Sequence, residues 1–146
     1  GELLLITQNV DDLHERAGSS KVLHLHGEIL TMRSERDRDT IYEIREDIHV
    51  GDLAQDGAQL RPNIVWFGEE VPMIAEAIPL MEAADIFILV GSSLVVYPAA
   101  GLVRYVPAHV PKYVLDRAIP DVYFNNVIPI EKPATEGIKD LLAILM

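Results

Sequence analysis

The sequence contains no cysteine. This absence excludes disulfide bonds, thiolate nucleophiles and zinc sites built on cysteine ligands. No apolar run approaches the roughly 20 residues that a membrane-spanning helix needs, and the first residues do not form a basic and then apolar leader. We therefore expect no membrane partner and a location in the cytoplasm.

Basic residues are scarce relative to acidic ones. The chain has 12 Lys and Arg against 23 Asp and Glu, a formal net charge of −11. A surface of this sign repels phosphate backbones and anionic lipids, so we expect no nucleic-acid partner. A lysine-rich peptide would be attracted instead. Hydrophobic residues make up 49% of the chain, enough for a buried core.

Short apolar runs alternate along the chain with segments of helical pattern, and this order predicts an α/β protein with a doubly wound parallel sheet. The chain enters its first strand directly after Gly1 and Glu2, so we expect this Rossmann-like sheet to be incomplete at the N-terminus. Helices are predicted over 11–17, around Ile74 to Met81, from Pro98, and after Thr135 as N-cap. The predicted strands are Leu3–Ile6, Val22–Leu25, Asn63–Phe67, Asp85–Val90, Lys112–Leu115 and Val127–Ile130.

The segment from Arg33 to Gly57 is of a different character, with 8 acidic residues against 4 basic ones and few large apolar side chains. It is too polar for a central sheet. We predict a small inserted subdomain over 28–60, without zinc ligands, and a Rossmann-like domain made of 1–27 and 61–146.

Polar residues follow several of the predicted strands. Open α/β sheets bind ligands at the carboxyl ends of their strands, so these residues are expected to line the site. They are Gln8 to Asp11, His26, Gly68 and Glu69, Gly91 to Ser93, and Asp116.

The turn Gly91-Ser92-Ser93 follows a predicted strand, and Asp116 follows the next one. Glycine allows close approach of a phosphate, hydroxyls and amides near a helix start hold anions, and a carboxylate about 20 residues later can bind a ribose hydroxyl. A simple tight turn explains the same three residues, so the motif alone does not decide between the two.

His24 and His26 lie two residues apart on a predicted strand and would face the same side. One of them is a suitable general base near neutral pH, and the other a packing or supporting histidine. With His14 they could instead bind a metal, but no carboxylate or thiol stands at a diagnostic spacing.

Gln8, Asn9 and Asp11 place two amides and a carboxylate on one turn. They could contact a ligand, or they could only cap a helix or form hydrogen bonds with the backbone of the loop. No nucleophile elbow or Walker loop is present.

Four motifs in order resemble the sirtuins, the NAD-dependent protein-lysine deacylases, and specifically a bacterial-type member that lacks the zinc cysteines and is truncated at the N-terminus. The family's opening Gly-Ala-Gly-x-Ser segment has no counterpart here. The motifs are Thr7-Gln8-Asn9-Val10-Asp11 with Leu13-His14 and Ala17-Gly18, Leu25-His26-Gly27, Arg61 to Glu69, and Gly91 to Ala100.

The resemblance implies that NAD and an acyl-lysine peptide are the two substrates, and that nicotinamide and O-acyl-ADP-ribose are products. His26 matches the histidine that deprotonates a ribose hydroxyl. Gln8, Asn9 and Asp11 match residues around the nicotinamide ribose, with Asn9 and Asp11 also counted as catalytic.

The resemblance also assigns binding residues. Gly91, Ser92 and Ser93 match the turn that holds the adenosine half of NAD, and Asp116 stands where the family's adenine-ribose asparagine is expected. The peptide is expected to pair with the strand and turn from Val65 to Glu69, an example of β-augmentation. The substrate-binding residues implied in this way are Val65, Phe67, Gly68, Glu69 and Val96.

Two other functions agree with the same sequence. A degenerate or truncated sirtuin-like module could bind a peptide or nucleotide without turnover. A generic nucleotide-binding α/β domain would require the match of four ordered motifs to be accidental.

Overall fold

A computed structural model describes residues 1–119, 121 and 124–146. The chain divides into two compact units, Gly1–Met73 and Ile74–Met146, and each is described by itself. Among the described residues, no helix is both long and apolar enough to cross a membrane.

The first unit opens with two parallel strands joined by a short helix. Strand β1 (Leu5–Thr7) pairs with β2 (Val22–His24), and helix α1 (Leu13–Arg16) lies between them in sequence. The apolar run predicted a strand from Leu3, but Leu3 is 75% exposed and lies outside β1. Pairing therefore starts at Leu5, which lies opposite Val22.

A three-stranded antiparallel sheet completes the first unit, with β3 (Gly27–Ser34) between β4 (Ile41–Glu43) and β5 (Leu60–Ile64). The sequence pattern did not predict β3. Its burial is the reverse of the expected one, because Ile29 and Leu30 are exposed whereas Arg33 and Ser34 are buried. Part of the polar segment after residue 33 is thus ordered in a sheet of its own.

Strand β5 was predicted over Asn63–Phe67, and this placement was wrong by three residues. The strand ends at Ile64, and Pro62 lies in its middle opposite Met32. Because β5 is an edge strand, Pro62 can be accommodated although it has no N–H to donate. Trp66 and Phe67 belong to the turn that follows.

The second unit contains a parallel sheet of three strands in sequence order, β6 (Phe87–Val90), β7 (Lys112–Asp116) and β8 (Val127–Glu131). Helix α2 (Met73–Glu82) precedes it and contains Pro79. A 3₁₀ helix (Ala99–Tyr105) connects β6 to β7, where the sequence predicted a helix from Pro98. Parallel pairing in two of the three described sheets confirms the α/β class.

Helix α3 (Ala134–Leu145) closes the chain and packs against the sheet of the second unit. Its Leu141 is 1% exposed and joins a buried cluster with Tyr113, Leu115 and Ile130. The prediction of Thr135 as N-cap was wrong, because the helix already begins at Ala134. The positions of Ile138, Leu141, Leu142 and Leu145, at i, i+3, i+4 and i+7 in the sequence, predict the apolar face of this helix. Of this face, Leu141 is buried. Its other predicted members are all at least 40% exposed: Ile138, Leu142 and Leu145.

Candidate functional site

The loop after β1 presents two side-chain amides to solvent. Gln8 and Asn9 are exposed, and their amide groups have no hydrogen-bond partner among the described residues. The backbone of Asn9 is nevertheless fixed, since its N–H donates to Oγ1 of the buried Thr7 at 3.1 Å. The two amides are therefore available to a ligand from an anchored position.

Asp11 has a local structural task. Its Oδ1 accepts a hydrogen bond from the backbone N–H of Leu13 at 3.1 Å, at the start of α1. This bond forms a turn just before the helix, whose N-cap residue is Asp12 and has no side-chain capping hydrogen bond. The second carboxylate oxygen of Asp11 has no hydrogen-bond donor among the described residues, so the group can still accept a bond from a ligand.

His26 lies in a turn between β2 and β3, and the prediction that it shares a strand with His24 was wrong, because β2 ends at His24. The turn is fastened on both sides. The N–H of Leu25 donates to the carbonyl of Thr7 at 3.0 Å, and the carbonyl of His26 accepts from Val65 N–H at 2.9 Å. The strand ends of this unit therefore meet at His26.

Gly27 explains how the turn comes so close to β5. Its φ is +84°, and a Cβ atom at this position would overlap the carbonyl oxygen of Asn63. Only glycine combines this backbone conformation with so close an approach. The position of the His26 backbone thus depends on the glycine at position 27.

The His26 imidazole is half-buried, and burial lowers its pKa below the ordinary value of 6.5. No hydrogen bond joins the ring to another described residue. A neutral imidazole with a free ring nitrogen can accept a proton near neutral pH, which is the requirement for a general base.

His24 is buried, and unlike the ring of His26 its imidazole has hydrogen-bond partners at both nitrogens. Its Nδ1 lies 3.0 Å from the carbonyl oxygen of Asn9, and its Nε2 lies 2.5 Å from Oε1 of Glu15. Burial lowers its pKa, but the hydrogen bonds to Glu15 and Asn9 raise it more, so the net pKa is above 6.5. Sequence reasoning did not single out Glu15; its place on the helix between the two strands was the available signal.

Glu28 completes a cluster with Glu15 and His24. One potential ligand atom from each of the three side chains lies within 4.8 Å of the other two. Such a set could in principle bind a cation. Both ring nitrogens of His24 already face oxygen acceptors of the protein, so the imidazole has no free lone pair to offer. An ion pair accounts for the cluster.

Glu69 organises the turn after β5. Its carboxylate accepts two hydrogen bonds from Arg61, both at 2.8 Å, and one from the N–H of Trp66 at 2.8 Å. The Arg61 hydrogen bonds, followed by that of Trp66, lower the pKa of Glu69 to about 2. Arg61 also lies 3.9 Å from the centre of the Trp66 ring. Sequence reasoning missed Arg61, although its opposite charge to Glu69 was a signal.

The tip of this turn is open. Phe67 is 99% exposed, and Gly68 has a φ of +86°. The N–H groups of Val65, Trp66 and Glu69 are used within the unit. Those of Phe67 and Gly68 have no acceptor among the described residues, so the free donors are concentrated at the tip.

In the second unit, the ends of β6 and β7 bring two predicted cofactor segments together. The N–H of Gly91 donates to the carbonyl of Leu115 at 3.0 Å, which places the Gly91 turn beside Asp116. Gly91 has a φ of +63°, and the space where a Cβ would stand is empty. The turn is stabilised internally by a 3.3 Å hydrogen bond from Leu94 N–H to Ser92 Oγ.

Three further predicted residues remain to be described: Ser93 in this turn, Val96 shortly after it, and Asp116 at the end of β7. Val96 is 42% exposed, and its carbonyl accepts a hydrogen bond from Ala100 N–H at 2.9 Å, at the start of the 3₁₀ helix. The Ser93 side chain has no hydrogen-bond partner among the described residues. Asp116 Oδ1 accepts from Ala118 N–H at 3.3 Å. The carboxylate of Asp116 is half-buried, and its second oxygen accepts no hydrogen bond from the residues that the structure describes.

Solved structures of the same shape carry NAD-derived ligands. A Sir2 homologue in complex with ADP-ribose has a TM-score of 0.81 and 33% identity, over 98% of this chain and 59% of that one. A Sir2 complex with an inhibitor, 2'-O-acetyl-ADP-ribose and a deacetylated p53 peptide has a TM-score of 0.75 and 33% identity, over 97% of this chain and 64% of that one.

Sequence comparison agrees with the likeness in structure. A NAD-dependent protein deacylase from Helicobacter pylori (strain J99) is 49% identical over 143 residues, which cover 97% of this chain and 61% of that protein. The chain thus spans about three fifths of the length of this curated relative. The model of the Sir2 family matches residues 1–98, which include the polar loop after β1, the His26 turn and the Gly91 turn. With two thirds of its residues matched by that model, the chain belongs to the Sir2 family.

Proposed function

We propose that this protein removes acetyl or longer acyl groups from protein lysines in an NAD-dependent reaction, with His26 as the general base. The observation that carries the proposal is the state of His26. Burial keeps its imidazole neutral near pH 7, and its backbone is held by Val65. A base of this kind can take a proton from a ribose hydroxyl.

We infer that NAD is held by the side chains that the protein itself leaves free. In the first unit these are the amides of Gln8 and Asn9 and the second oxygen of Asp11. NAD, when bound, would supply the ribose carbon at which the acyl oxygen displaces nicotinamide, and the ribose hydroxyl that then receives the acyl group.

In the second unit, the open turn from Gly91 to Ser93 fits close approach of a phosphate or sugar, and Asp116 beside it fits a ribose hydroxyl. Both features are what the adenosine half of a dinucleotide requires. We therefore propose this turn and this carboxylate as the adenosine-binding residues.

The peptide substrate is proposed to bind at the tip of the turn after β5. Phe67 and Gly68 offer the free N–H groups, and the apolar side chain of Phe67 is fully exposed. Glu69 acts within the turn, where it holds Arg61 and Trp66. Val65 contributes apolar surface to this turn. We propose Val96, in the second unit, separately as a substrate-binding residue. The net charge of −11 favours lysine-rich peptides.

Two broader expectations belong to the same proposal. We infer a cytoplasmic location, which suits an enzyme of protein lysines. We also propose that 1–27 and 61–146 form the Rossmann-like cofactor-binding part, with 28–60 as an inserted subdomain. The antiparallel pairing of β3 with β4, whose paired residues all lie within 28–60, supports a separate character for that segment.

The test is nicotinamide release from NAD and an acetyl-lysine peptide, catalysed by the gene product that carries this chain. His26→Ala should lower the rate by about 10²–10⁴-fold, the usual contribution of a general base. The matched control is His49→Ala, which removes an imidazole that is 74% exposed. It should leave the rate unchanged.

Undiminished turnover in His26→Ala would exclude His26 as the base. Peptide binding without nicotinamide release in the wild-type protein would favour the binding module over the enzyme. Calorimetry with the peptide alone and with NAD alone distinguishes these cases.

A further inference from the structure

His24 is enclosed by acceptors. It is 8% exposed, and its two ring nitrogens face the carbonyl oxygen of Asn9 and a carboxylate oxygen of Glu15, at 3.0 and 2.5 Å. Neither oxygen can donate a hydrogen bond when Glu15 is ionised. Both ring nitrogens must therefore carry a proton, and the ring is an imidazolium.

The charges around His24 agree with this protonation state. Glu15 on α1 and Glu28 on β3 both face it and favour the positive form. The hydrogen bond from His24, the largest cause, lowers the pKa of Glu15, and His14 adds a smaller effect of the same direction. The two partners thus hold each other ionised, across two elements of the first unit.

The other acceptor of the ring, the carbonyl oxygen of Asn9, belongs to the loop after β1 that is proposed to bind NAD. The backbone of Asn9 is held by two groups only a few ångströms away, Thr7 Oγ1 at its N–H and His24 Nδ1 at its carbonyl. Gln8 and Asn9, whose amides are free, lie on this loop, and Asp11 follows. If His24 loses a proton, one of its two hydrogen bonds must be lost, because both partners can only accept.

We propose that His24 is a positioning residue for NAD: as an imidazolium bridging Glu15 and the Asn9 carbonyl, it holds the loop Gln8–Asp11 in the conformation that binds the nicotinamide ribose, and its deprotonation loosens that loop and weakens NAD binding. The ligand named here rests on the proposed function. The bridge and its effect on the loop do not.

The first experiment needs no ligand. Imidazole nitrogen chemical shifts of the protein, followed by NMR between about pH 6 and about pH 9, report both ring nitrogens of each histidine. His24 should carry two protons at neutral pH, and the amide signals of Gln8 to Asp11 should shift with the same midpoint as His24. A singly protonated His24 at neutral pH, or a loop that does not respond to its titration, would overturn the proposal.

The second experiment measures NAD affinity over the same pH range. Affinity should fall about tenfold as His24 deprotonates, the effect of one charge-assisted hydrogen bond. Glu15→Gln removes the partner that raises the His24 pKa, so the midpoint of the fall should move to lower pH. A role in general stability would lower affinity at every pH without moving the midpoint.

Two variants complete the comparison. His24→Gln should bind NAD about tenfold more weakly at pH 6, with no dependence on pH. The control His109→Gln removes an exposed imidazole and should keep the wild-type profile. Equal NAD affinity in His24→Gln and the wild type would overturn the proposal. If the wild type binds no NAD while its loop follows the His24 titration, the proposed function fails and the bridge stands.

Discussion

The backbone carbonyl of His26 accepts a hydrogen bond from the N–H of Val65 at 2.9 Å, across 39 positions of the sequence. This bond joins the turn that carries the proposed base to the segment proposed for the peptide. It is possible only because Gly27 lets the turn approach Asn63 without a side chain in between. The site in the first unit therefore depends on a backbone contact as much as on functional side chains.

Replacing Gly27 with alanine should destabilise the first unit by at least about 3 kcal/mol, since a positive φ costs roughly 1–2 kcal/mol and the overlap with Asn63 adds to it. Gly51→Ala is the matched control, because Gly51 also has a positive φ, +103°, but open space around its Cβ position. Its cost should be about 1–2 kcal/mol. Urea denaturation measures both, and equal losses would contradict the role of the close approach.

Activity should fall on the acid side as His26 becomes protonated. Burial places its pKa below 6.5, so the imidazole is neutral and active at pH 7, and the rate should decrease as pH falls through that lowered value. The pH dependence of kcat/KM for nicotinamide release between about pH 5 and about pH 8 reports the pKa of the free protein and gives the profile. A midpoint above 6.5 would contradict the environment found for His26.

Glu69 should stabilise the protein in a pH-dependent manner. Its folded-state pKa is about 2 against an ordinary 4.5, so its stabilising effect is complete above pH 4.5 and is lost as pH falls towards 2. Glu69→Gln should therefore lower the urea midpoint at pH 7, and the difference from the wild type should shrink below pH 4.5. The neighbouring Glu70→Gln is the control and should change little. A difference that is constant with pH would argue against the Arg61 pair.

Leu141 should be the side chain of α3 that matters most for the second unit. It is 1% exposed and packs with Tyr113, Leu115 and Ile130. Leu141→Ala should cost about 2–5 kcal/mol, as large-to-small changes in a core do. Leu142→Ala, at a position 48% exposed, should cost about 1 kcal/mol or less. Thermal unfolding of both variants compares them, and similar losses would contradict the assignment of the buried face.

Much of the element order was predictable because it is a local property. Continuous apolar runs identified β6, β7 and β8 to within about two residues. Pattern reasoning failed at β3, where Arg33 and Ser34 are buried and Ile29 is exposed. Burial of Arg33 depends on neighbours that lie far along the chain, and no local period carries that information.

The candidate site divides in the same way. Gly91 to Ser93 and Asp116 could be proposed from the sequence, since a glycine turn and a later carboxylate are visible in the order of residues. That the Gly91 N–H bonds to the Leu115 carbonyl follows from the register of two parallel strands. The roles of Glu15 and Arg61 were missed, because the sequence shows their charges and positions but packing decides which partner each one takes.

The sequence by itself determined the class of fold, the family and the chemical groups available, since these rest on composition, local periodicity and ordered motifs. Only the tertiary structure decided which of those groups are free. It places Glu69 against Arg61 and His24 between Glu15 and Asn9, and it leaves the imidazole of His26 without a hydrogen-bond partner among the described residues. The physical reason is that protonation and hydrogen bonding depend on distances between residues that lie on different elements of the chain, and these distances are set by strand register and burial.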